Sequence, residues 1–368
     1  MDKEGIVLQE ETNRRNNSSA DKSKYLRVVP GDIAYNTMRM WEGRSAFVGI
    51  EGLVSPAYTV CAPAKGTYSP FFAFYFKTAP LIRLFRQVSQ GLVNDTLNLK
   101  YQAFSRIEIA YPCDEGEQQK IAGCLASLDF VIAVQGQKVE GLKTYKRGLM
   151  QMIFTRKGNT LPDLRFPEFR DAPEWEPTCL EDLVDIQSGG TPSKANPAFW
   201  NGSIPWVSAK DMKRLFLDDA EDHISTAAVD DGAKLVPAGT LLMLTRGMTL
   251  LKDVPICVLR REMSFNQDVK ALLPKGHTDG LFVALLLLGN KQRLLRMVDI
   301  AGHGTGKLNT DELKALELAA PKPAEQQRIA AFLSSLDAQI AAEAEELAAL
   351  TTHKQGLMQQ LFPSPEET

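Results

Sequence analysis

The glycine-rich stretch VDIAGHGTGK (298–307) has the residue types of a loop that holds a phosphate or a nucleotide cofactor. Read loosely, it resembles the Asp-x-Gly-x-Gly-x-Gly loop that cradles S-adenosylmethionine, and the case for an enzyme depends on this stretch alone. As a phosphate loop it is one residue short between Gly302 and Gly306, and Leu308 replaces the required serine or threonine. The preceding segment 290–297 predicts a basic helix instead of a buried strand. We therefore predict a loop without a cofactor, whose glycines allow the backbone to approach a phosphate closely.

A second candidate loop is GGTPSK (189–194), which combines two glycines, a proline and small hydroxyls. Its backbone N–H groups, Thr191, Ser193 and Lys194 have the chemistry to hold a phosphate. The alternative is a plain turn that joins two strands.

Two arginines lie beside small polar residues, in NTMRMWEGR (36–44) and in TRGMTLLK (245–252). Both stretches follow a Val-Pro turn, so we predict that Arg39 and Arg246 occupy matching positions. Arginine and asparagine are the side chains that read guanine and adenine edges in the major groove. Contact with a base or a phosphate is one interpretation, and a solvated loop is the other.

No catalytic set accompanies these loops in the sequence. The four histidines are far apart, and the five cysteines form neither a Cys-x-x-Cys pair nor a spacing suited to zinc. Scattered single cysteines are typical of a reducing cytosol. We expect a protein without a cofactor or a metal.

The net charge of −3 does not indicate a nucleic-acid ligand. Residues 175–320 hold 16 Lys and Arg against 19 Asp and Glu, so this block is not basic. Any DNA-bound form would therefore need phosphate neutralisation from a partner or from a few focused side chains.

The elements that would position these loops include a helix that occurs twice. EQQKIAGCLASLD (117–129) returns as EQQRIAAFLSSLD (325–337), and YKRGLMQMIF (145–154) returns as HKQGLMQQLF (353–362), both displaced by 208 residues. Apolar residues recur in steps of three and four, which is a coiled-coil heptad. The apolar seam is broken at matching places, by Gln135 and Glu343 and then by Lys146 and Lys354. Two equal seams predict an antiparallel pair of helices, with the two variable blocks at opposite ends.

Other segments have simpler interpretations. LFVALLLL (281–288) predicts a buried helix, because it is too short to span a bilayer. IPWV (204–207) predicts a strand, and VSPAYTV (54–60) and FNQDVKAL (265–272) predict central strands by their alternation. The polar N-terminus is not a signal peptide.

Taken together, the motifs resemble the specificity (S) subunit of type I restriction–modification enzymes. The resemblance covers nearly the whole chain. It rests on the two Glu-Gln-Gln helices, on Lys-x-Gly-Leu-Met-Gln at both helix ends, on LPDLRFPEFRDAPEW (161–175), and on QSGGTPSKANPAFWNGSIPWVSAKDM (187–212).

The resemblance implies an α+β fold with two target recognition domains, related by the internal repeat and joined by an antiparallel coiled coil of two long helices. It implies a non-catalytic, cytoplasmic subunit that binds a bipartite site in double-stranded DNA. Its expected partners are two modification (methyltransferase) subunits and the restriction (motor-nuclease) subunits. No association with a membrane is expected. The predicted segments are a first recognition domain, a first helix, a linker, a second recognition domain and a second helix, at 1–113, 114–157, 158–174, 175–320 and 321–368.

One departure concerns the first block, where the counterpart of GGTPS and IPWV is missing. We therefore expect a first domain that is incomplete at its N-terminus. The alternative function is an S-like scaffold that binds modification subunits without reading a full bipartite site. The predicted DNA-binding residues are Asn36, Arg39, Arg44, Thr191, Ser193, Lys194, Lys210, Arg246, Thr249, Lys252, His303 and Lys307.

Overall fold

The structure, a computed structural model, describes residues 6–11, 21–93, 96–300 and 304–363. The chain divides into two compact units. Unit 1 comprises Met1–Val139 and Ala342–Thr368, and unit 2 comprises Glu140–Ala341. Each unit contains one variable block and part of both long helices. The mixture of strands and helices confirms the predicted α+β class.

Unit 1 contains short antiparallel strands followed by helices. Strand order is β3-β2-β5 in one sheet, and β1 pairs with β4 in another. The elements are β1 (Leu26–Val28), β2 (Ile33–Asn36), β3 (Ser45–Phe47), β4 (Gly52–Val54), β5 (Tyr58–Cys61), α1 (Ser69–Tyr75), α2 (Ala79–Val88), α3 (Tyr101–Phe104) and the first part of α4 (Glu115–Ile153).

Unit 2 is built on a five-stranded sheet of order β7-β16-β12-β14-β9 and a four-stranded sheet of order β10-β8-β15-β11. A small sheet of order β13-β18-β17 and the pair β19-β6 complete it. The elements are β6 (Glu176–Cys179), α5 (Leu180–Leu183), β7 (Val184–Ser188), β8 (Ile204–Val207), β9 (Phe216–Leu217), β10 (Asp222–Ile224), α6 (Thr226–Asp230), β11 (Leu235–Val236), β12 (Leu241–Leu244), β13 (Arg246–Gly247), β14 (Ile256–Leu259), β15 (Met263–Phe265), β16 (Val269–Pro274), α7 (Gly280–Gly289), α8 (Lys291–Arg296), β17 (Val298–Ile300), β18 (Gly306–Leu308), α9 (Thr310–Lys314), β19 (Glu317–Ala320) and the first part of α10 (Pro323–Leu361).

The two long helices, α4 and α10, pack through the predicted seam. In unit 1, Leu125 of α4 is buried in the same core as Phe362, which directly follows α10. In unit 2, Leu149 near the end of α4 is buried with Leu333 near the start of α10. The beginning of each helix therefore lies beside the end of the other, which confirms the antiparallel coiled coil.

Two predicted strands are wrong, because each contains a turn. VSPAYTV divides into β4 and β5, where Ser55 Oγ accepts a hydrogen bond from the backbone N–H of Ala57 at 3.2 Å. FNQDVKAL divides into β15 and β16, where Asn266 Oδ1 accepts from the N–H groups of Asp268 and Val269, both at 3.1 Å. Short polar side chains that bond to nearby backbone compete with the sheet and favour turns.

The predicted buried helix, by contrast, is confirmed as α7, in which Phe282 to Leu287 are all buried in the core of unit 2. An apolar helix surrounded on all sides is the expected result of an all-round apolar sequence. Within the described residues, no helix has the length and apolar character needed to cross a membrane.

Candidate nucleic-acid interface

The turn Asn266–Asp268 in unit 2 is the point at which the predicted loops meet. Asp268 carbonyl oxygen accepts hydrogen bonds from the N–H of Thr245 at 2.8 Å and of Arg246 at 3.2 Å. The Thr245 hydroxyl donates to the same oxygen at 3.1 Å. The turn, itself closed by Asn266, therefore anchors the backbone at the start of β13.

Arg246 lies directly opposite Lys307 in the small sheet. β13 and β18 are antiparallel, with Arg246 paired with Lys307 and Gly247 with Gly306. A Cβ atom on Gly306 would lie 2.7 Å from Leu250 Cβ and 2.9 Å from Val298 Cγ1, so only glycine permits this close packing. Both basic side chains are exposed. The stretch predicted as a loop at 298–307 therefore forms β17 and the start of β18 in its described part.

A third cation, Lys270 on β16, was missed by the sequence reasoning. Its Nζ donates to Ser188 Oγ at 2.6 Å. Burial lowers the pKa of this ammonium, and the charge of Arg246 lowers the pKa further, while the Asp268 carboxylate opposes the shift. Lys270 therefore belongs to the same electropositive group as Arg246. The signal in the sequence was a lysine that alternates with buried residues, Val269 and Ala271.

The GGTPSK loop reaches the same turn from another side. A Cβ atom on Gly189 would lie 2.3 Å from the Phe265 carbonyl oxygen, so the loop approaches β15 as only glycine allows. Gly190 N–H donates to that oxygen at 3.0 Å. The Thr191 hydroxyl is hydrogen-bonded to Gln267 Oε1. Thr191 and Gln267 are both exposed, so the Thr191 hydroxyl lies beside the exposed amide of the turn.

The remaining predicted residues of unit 2 have more varied surroundings. Ser193, Lys194, Thr249 and Lys252 are exposed. Lys210 is already ion-paired, with Nζ 2.9 Å from Asp222 Oδ2 and 3.2 Å from Glu221 Oε2. These carboxylates raise the pKa of Lys210 and offset its attraction for a phosphate. The prediction for His303 lies outside the described residues.

In unit 1, the predicted match between Arg39 and Arg246 is wrong by one residue. Leu99 N–H donates to Thr37 O at 2.8 Å, just as Leu308 N–H donates to Thr245 O at 2.9 Å. Thr37 therefore corresponds to Thr245, and Met38 occupies the place of Arg246. The cause is that the second Val-Pro turn is one residue longer than the first. Its left-handed glycine, Gly239, has a φ of 84° and lies two residues after the proline instead of one.

The other unit 1 candidates surround this position. Asn36 Oδ1 accepts from Met38 N–H at 3.0 Å, and Arg39 is exposed. Arg44 is exposed, with Nε 3.7 Å from Glu42 Oε2. Unit 1 thus presents Met38 and Arg39 where unit 2 presents Arg246 and Gly247, so the two surfaces differ in chemistry.

The cations of unit 2, Arg246, Lys307 and Lys270, suit a nucleic acid, which offers both phosphates and base edges. A guanidinium donates in a fork that matches guanine O6 and N7 or a phosphate, and lysine supplies a point charge. Exposed hydroxyl and amide groups next to them add directional hydrogen bonds.

Comparison with known proteins agrees with this chemistry. Residues 173–352 match the family described as the type I restriction modification DNA specificity domain. The EcoR124I/EcoR124II specificity subunit of Escherichia coli is 32% identical over 243 residues, covering 64% of this chain and 56% of that protein. The MjaIX specificity subunit of Methanocaldococcus jannaschii is 29% identical over 171 residues, covering 45% of this chain and 38% of that protein. Residues 173–352 therefore form a domain of the type I restriction–modification specificity family.

A likeness in fold extends over most of the chain. The crystal structure of the type I restriction–modification S subunit from M. genitalium has a TM-score of 0.57 at 14% identity, covering 91% of this chain and 84% of that one. The match with the E. coli and M. jannaschii subunits spans only about half or less of the length of those proteins.

Proposed function

We propose that this chain is the DNA-recognition subunit of a type I restriction–modification system. It binds a bipartite double-stranded target and docks two modification subunits and the restriction subunits in the cytoplasm, without a catalytic site of its own. The observation that carries the proposal is the cross-strand pair of exposed cations, Arg246 and Lys307, fixed in register by β13 and β18.

Each unit reads one half of the target in this proposal. In unit 2, Arg246 reads a base edge, while Lys307 and Lys270 contact phosphates, supported by Thr191 and Gln267. In unit 1, Asn36 and Arg39 read different bases, because Met38 offers no hydrogen-bond donor at the position of Arg246. The proposed segments keep the boundaries 1–113, 114–157, 158–174, 175–320 and 321–368, since α4 and α10 lie within the two helical segments.

The modification subunits bind the long helices in this proposal. α4 exposes Phe130 and Val134 one helical turn apart, together with Val131, and their exposed fractions are 70%, 47% and 45%. An apolar strip on an otherwise polar helix surface favours a protein partner.

The test is a double substitution, Arg246→Ala with Lys307→Ala, in the chain co-expressed with its modification subunits. Loss of a base-specific arginine contact costs about 1–3 kcal/mol. We expect methylation in cells to lose preference at one or more bases of a single half-site, as mapped by sequencing of modified adenines.

The matched control is Arg261→Ala, another exposed arginine of unit 2. The two arginines follow opposite ends of β12. Arg246 comes soon after the last residue of β12. Arg261 comes soon after the last residue of β14, Leu259, whose N–H donates to Thr240 O just before the first residue of β12. The control should keep the wild-type methylation pattern. An unchanged pattern in the double variant as well would contradict the proposal.

A further inference from the structure

In unit 2, the segment 161–175 is bound to the start of α10 by a buried ion pair. Arg165 Nε donates to Glu325 Oε1 at 2.8 Å, and Nη2 donates to Oε2 at 2.7 Å. Trp175 Nε1 donates to Glu325 Oε1 at 3.2 Å. The side chains of Arg165 and Glu325 are only 9% and 3% exposed. One glutamate of α10 therefore fixes both the arginine and the tryptophan of this segment.

The same segment makes further contacts along the helix. Arg328 lies over the ring of Phe166 at 4.3 Å and donates through Nε to Glu168 at 2.8 Å. Phe166 also packs edge-on against Phe332, with 5.3 Å between ring centroids. Together with Glu325, these contacts recognise the order Arg165-Phe166-Pro167-Glu168.

Unit 1 repeats the framework on which that segment rests. Gln118 accepts from Tyr68 N–H at 2.7 Å and donates to Pro112 O at 2.8 Å. Its counterpart 208 residues later, Gln326, accepts from Asp279 N–H at 3.0 Å and donates to Pro321 O at 2.8 Å. The start of α4 is therefore held as the start of α10 is held.

At the positions that bind the segment in unit 2, unit 1 has exposed side chains. Glu325, Arg328 and Phe332 correspond to Glu117, Lys120 and Cys124, all three of them exposed. Among the described residues, no side chain forms an ion pair with Glu117 or Lys120. Each keeps the charge sign of its counterpart.

A groove of about 770 Å³ lies beside Glu117, and its walls correspond to the surroundings of segment 161–175. Gln360 and Phe362 line it, and their counterparts 208 residues earlier are Met152 and Phe154. In unit 2, the carbonyl oxygen of Met152 accepts from Leu164 N–H at 2.9 Å, so the segment runs along that very stretch. The chain contains the sequence LPDLRFPEFRDAPEW once, and unit 2 uses it.

We propose that the groove of unit 1 binds an extended segment of another polypeptide that carries Arg-Phe-Pro-Glu and, ten residues after the arginine, a tryptophan. The guanidinium of the incoming arginine forms a two-pronged ion pair with Glu117, and the glutamate three residues later pairs with Lys120. The tryptophan enters the groove as Trp175 is buried beside Glu325. The groove shares no residue with the proposed DNA interface, so its test does not depend on DNA binding.

The experiment uses the full-length chain and a fluorescent peptide with the sequence of residues 161–175. Anisotropy should show saturable binding with one peptide per chain. Glu117→Gln in the protein should weaken binding about tenfold or more, because the arginine of the peptide then loses its counter-charge and its charge-assisted hydrogen bonds. A peptide in which the arginine is replaced by alanine should show the same loss. Alkylation of Cys124 should slow when the wild-type peptide is bound.

The matched control is Glu115→Gln, an exposed glutamate two residues away whose carboxylate accepts only from Gln119 among the described residues. This variant should bind the peptide with wild-type affinity. No saturable binding to the wild-type chain would overturn the proposal. Binding that is unchanged in the Glu117 variant would also overturn it, because the peptide would then be exchanging with the segment on Glu325.

Discussion

Glu325 and Glu117 show how one residue type in a repeated motif acquires two different roles. Glu325 is buried and accepts hydrogen bonds from Arg165 and Trp175, whereas Glu117 is exposed at the start of α4. A buried ion pair contributes little net stability over an apolar alternative, but removal of one partner leaves an uncompensated charge. The two glutamates therefore form a natural pair of test sites.

We predict that Glu325→Gln lowers the free energy of unfolding of unit 2 by about 3 kcal/mol, because Arg165 stays buried without a counter-charge. Urea unfolding followed by tryptophan fluorescence measures this directly, since Trp175 is bonded to the same carboxylate. Glu117→Gln should change stability by less than about 0.5 kcal/mol, as exposed substitutions usually do. Equal effects at both positions would show that Glu325 is not an anchor.

For single residues, the sequence predicted which residue types take part better than it predicted which residues contact each other. Arg246 and Lys307 were both predicted as DNA contacts, but nothing in local spacing shows that they lie opposite each other across β13 and β18. Lys270 was missed because it lies in a strand that reads as core, and Lys210 was predicted without its two carboxylate partners. Side-chain chemistry is local in sequence, whereas pairing between distant strands depends on the whole fold.

The element that the sequence predicted best is the coiled coil. Its heptad could be recognised because the seam repeats every three or four residues, and the interruptions at Gln135 and Glu343 were visible as breaks. The structure adds that these breaks face each other, with Gln135 Nε2 donating to Glu343 Oε2 at 2.6 Å. The second pair of breaks, Lys146 and Lys354, forms an equivalent ion pair in each unit. Lys354 pairs with Asp129 in unit 1, and Lys146 pairs with Asp337 in unit 2.

We predict that the double substitution Gln135→Leu with Glu343→Leu raises the midpoint of thermal unfolding, because an apolar layer replaces a polar one in the seam. Gln135→Leu alone should lower the midpoint, since Glu343 would then lose an amide donor and face a leucine. Circular dichroism at 222 nm follows the helices directly. A double variant that melts below the single variant would mean that the polar layer itself stabilises the pair.

At the scale of the whole molecule, the charge is unfavourable for DNA. The chain carries a net charge of −3, so the cations of the proposed interface act against the repulsion of the remaining surface. We predict that the purified chain binds a target duplex weakly, and that the complex with modification subunits binds it tightly. Anisotropy titrations over a series of salt concentrations measure both. The slope of log K against log salt in the complex should fall by about 1–2 on Arg246→Ala with Lys307→Ala. Tight, specific binding by the chain alone would contradict this view.

We predict that the length of α4 and α10, which run through both units, sets the length of the non-specific gap in the DNA target. One heptad inserted after Gln135 in α4 and another after Glu343 in α10 shift Lys146 and Lys354 equally relative to Asp337 and Asp129. Both ion pairs and the apolar seam can therefore re-form. Each helix lengthens by about 10.5 Å at about 1.5 Å per residue.

Since one base pair rises by about 3.4 Å, we expect the non-specific gap in the DNA target to grow by about three base pairs. The bases of each half-site should stay the same, because neither recognition surface is altered. Sequencing of methylated adenines in cells that express the variant with its modification subunits measures both quantities. A matched variant with the heptad in α4 alone shifts only one of the two ion pairs, and it should lose methylation altogether. Full methylation with an unchanged gap in the double insertion would show that the helices do not set the spacing.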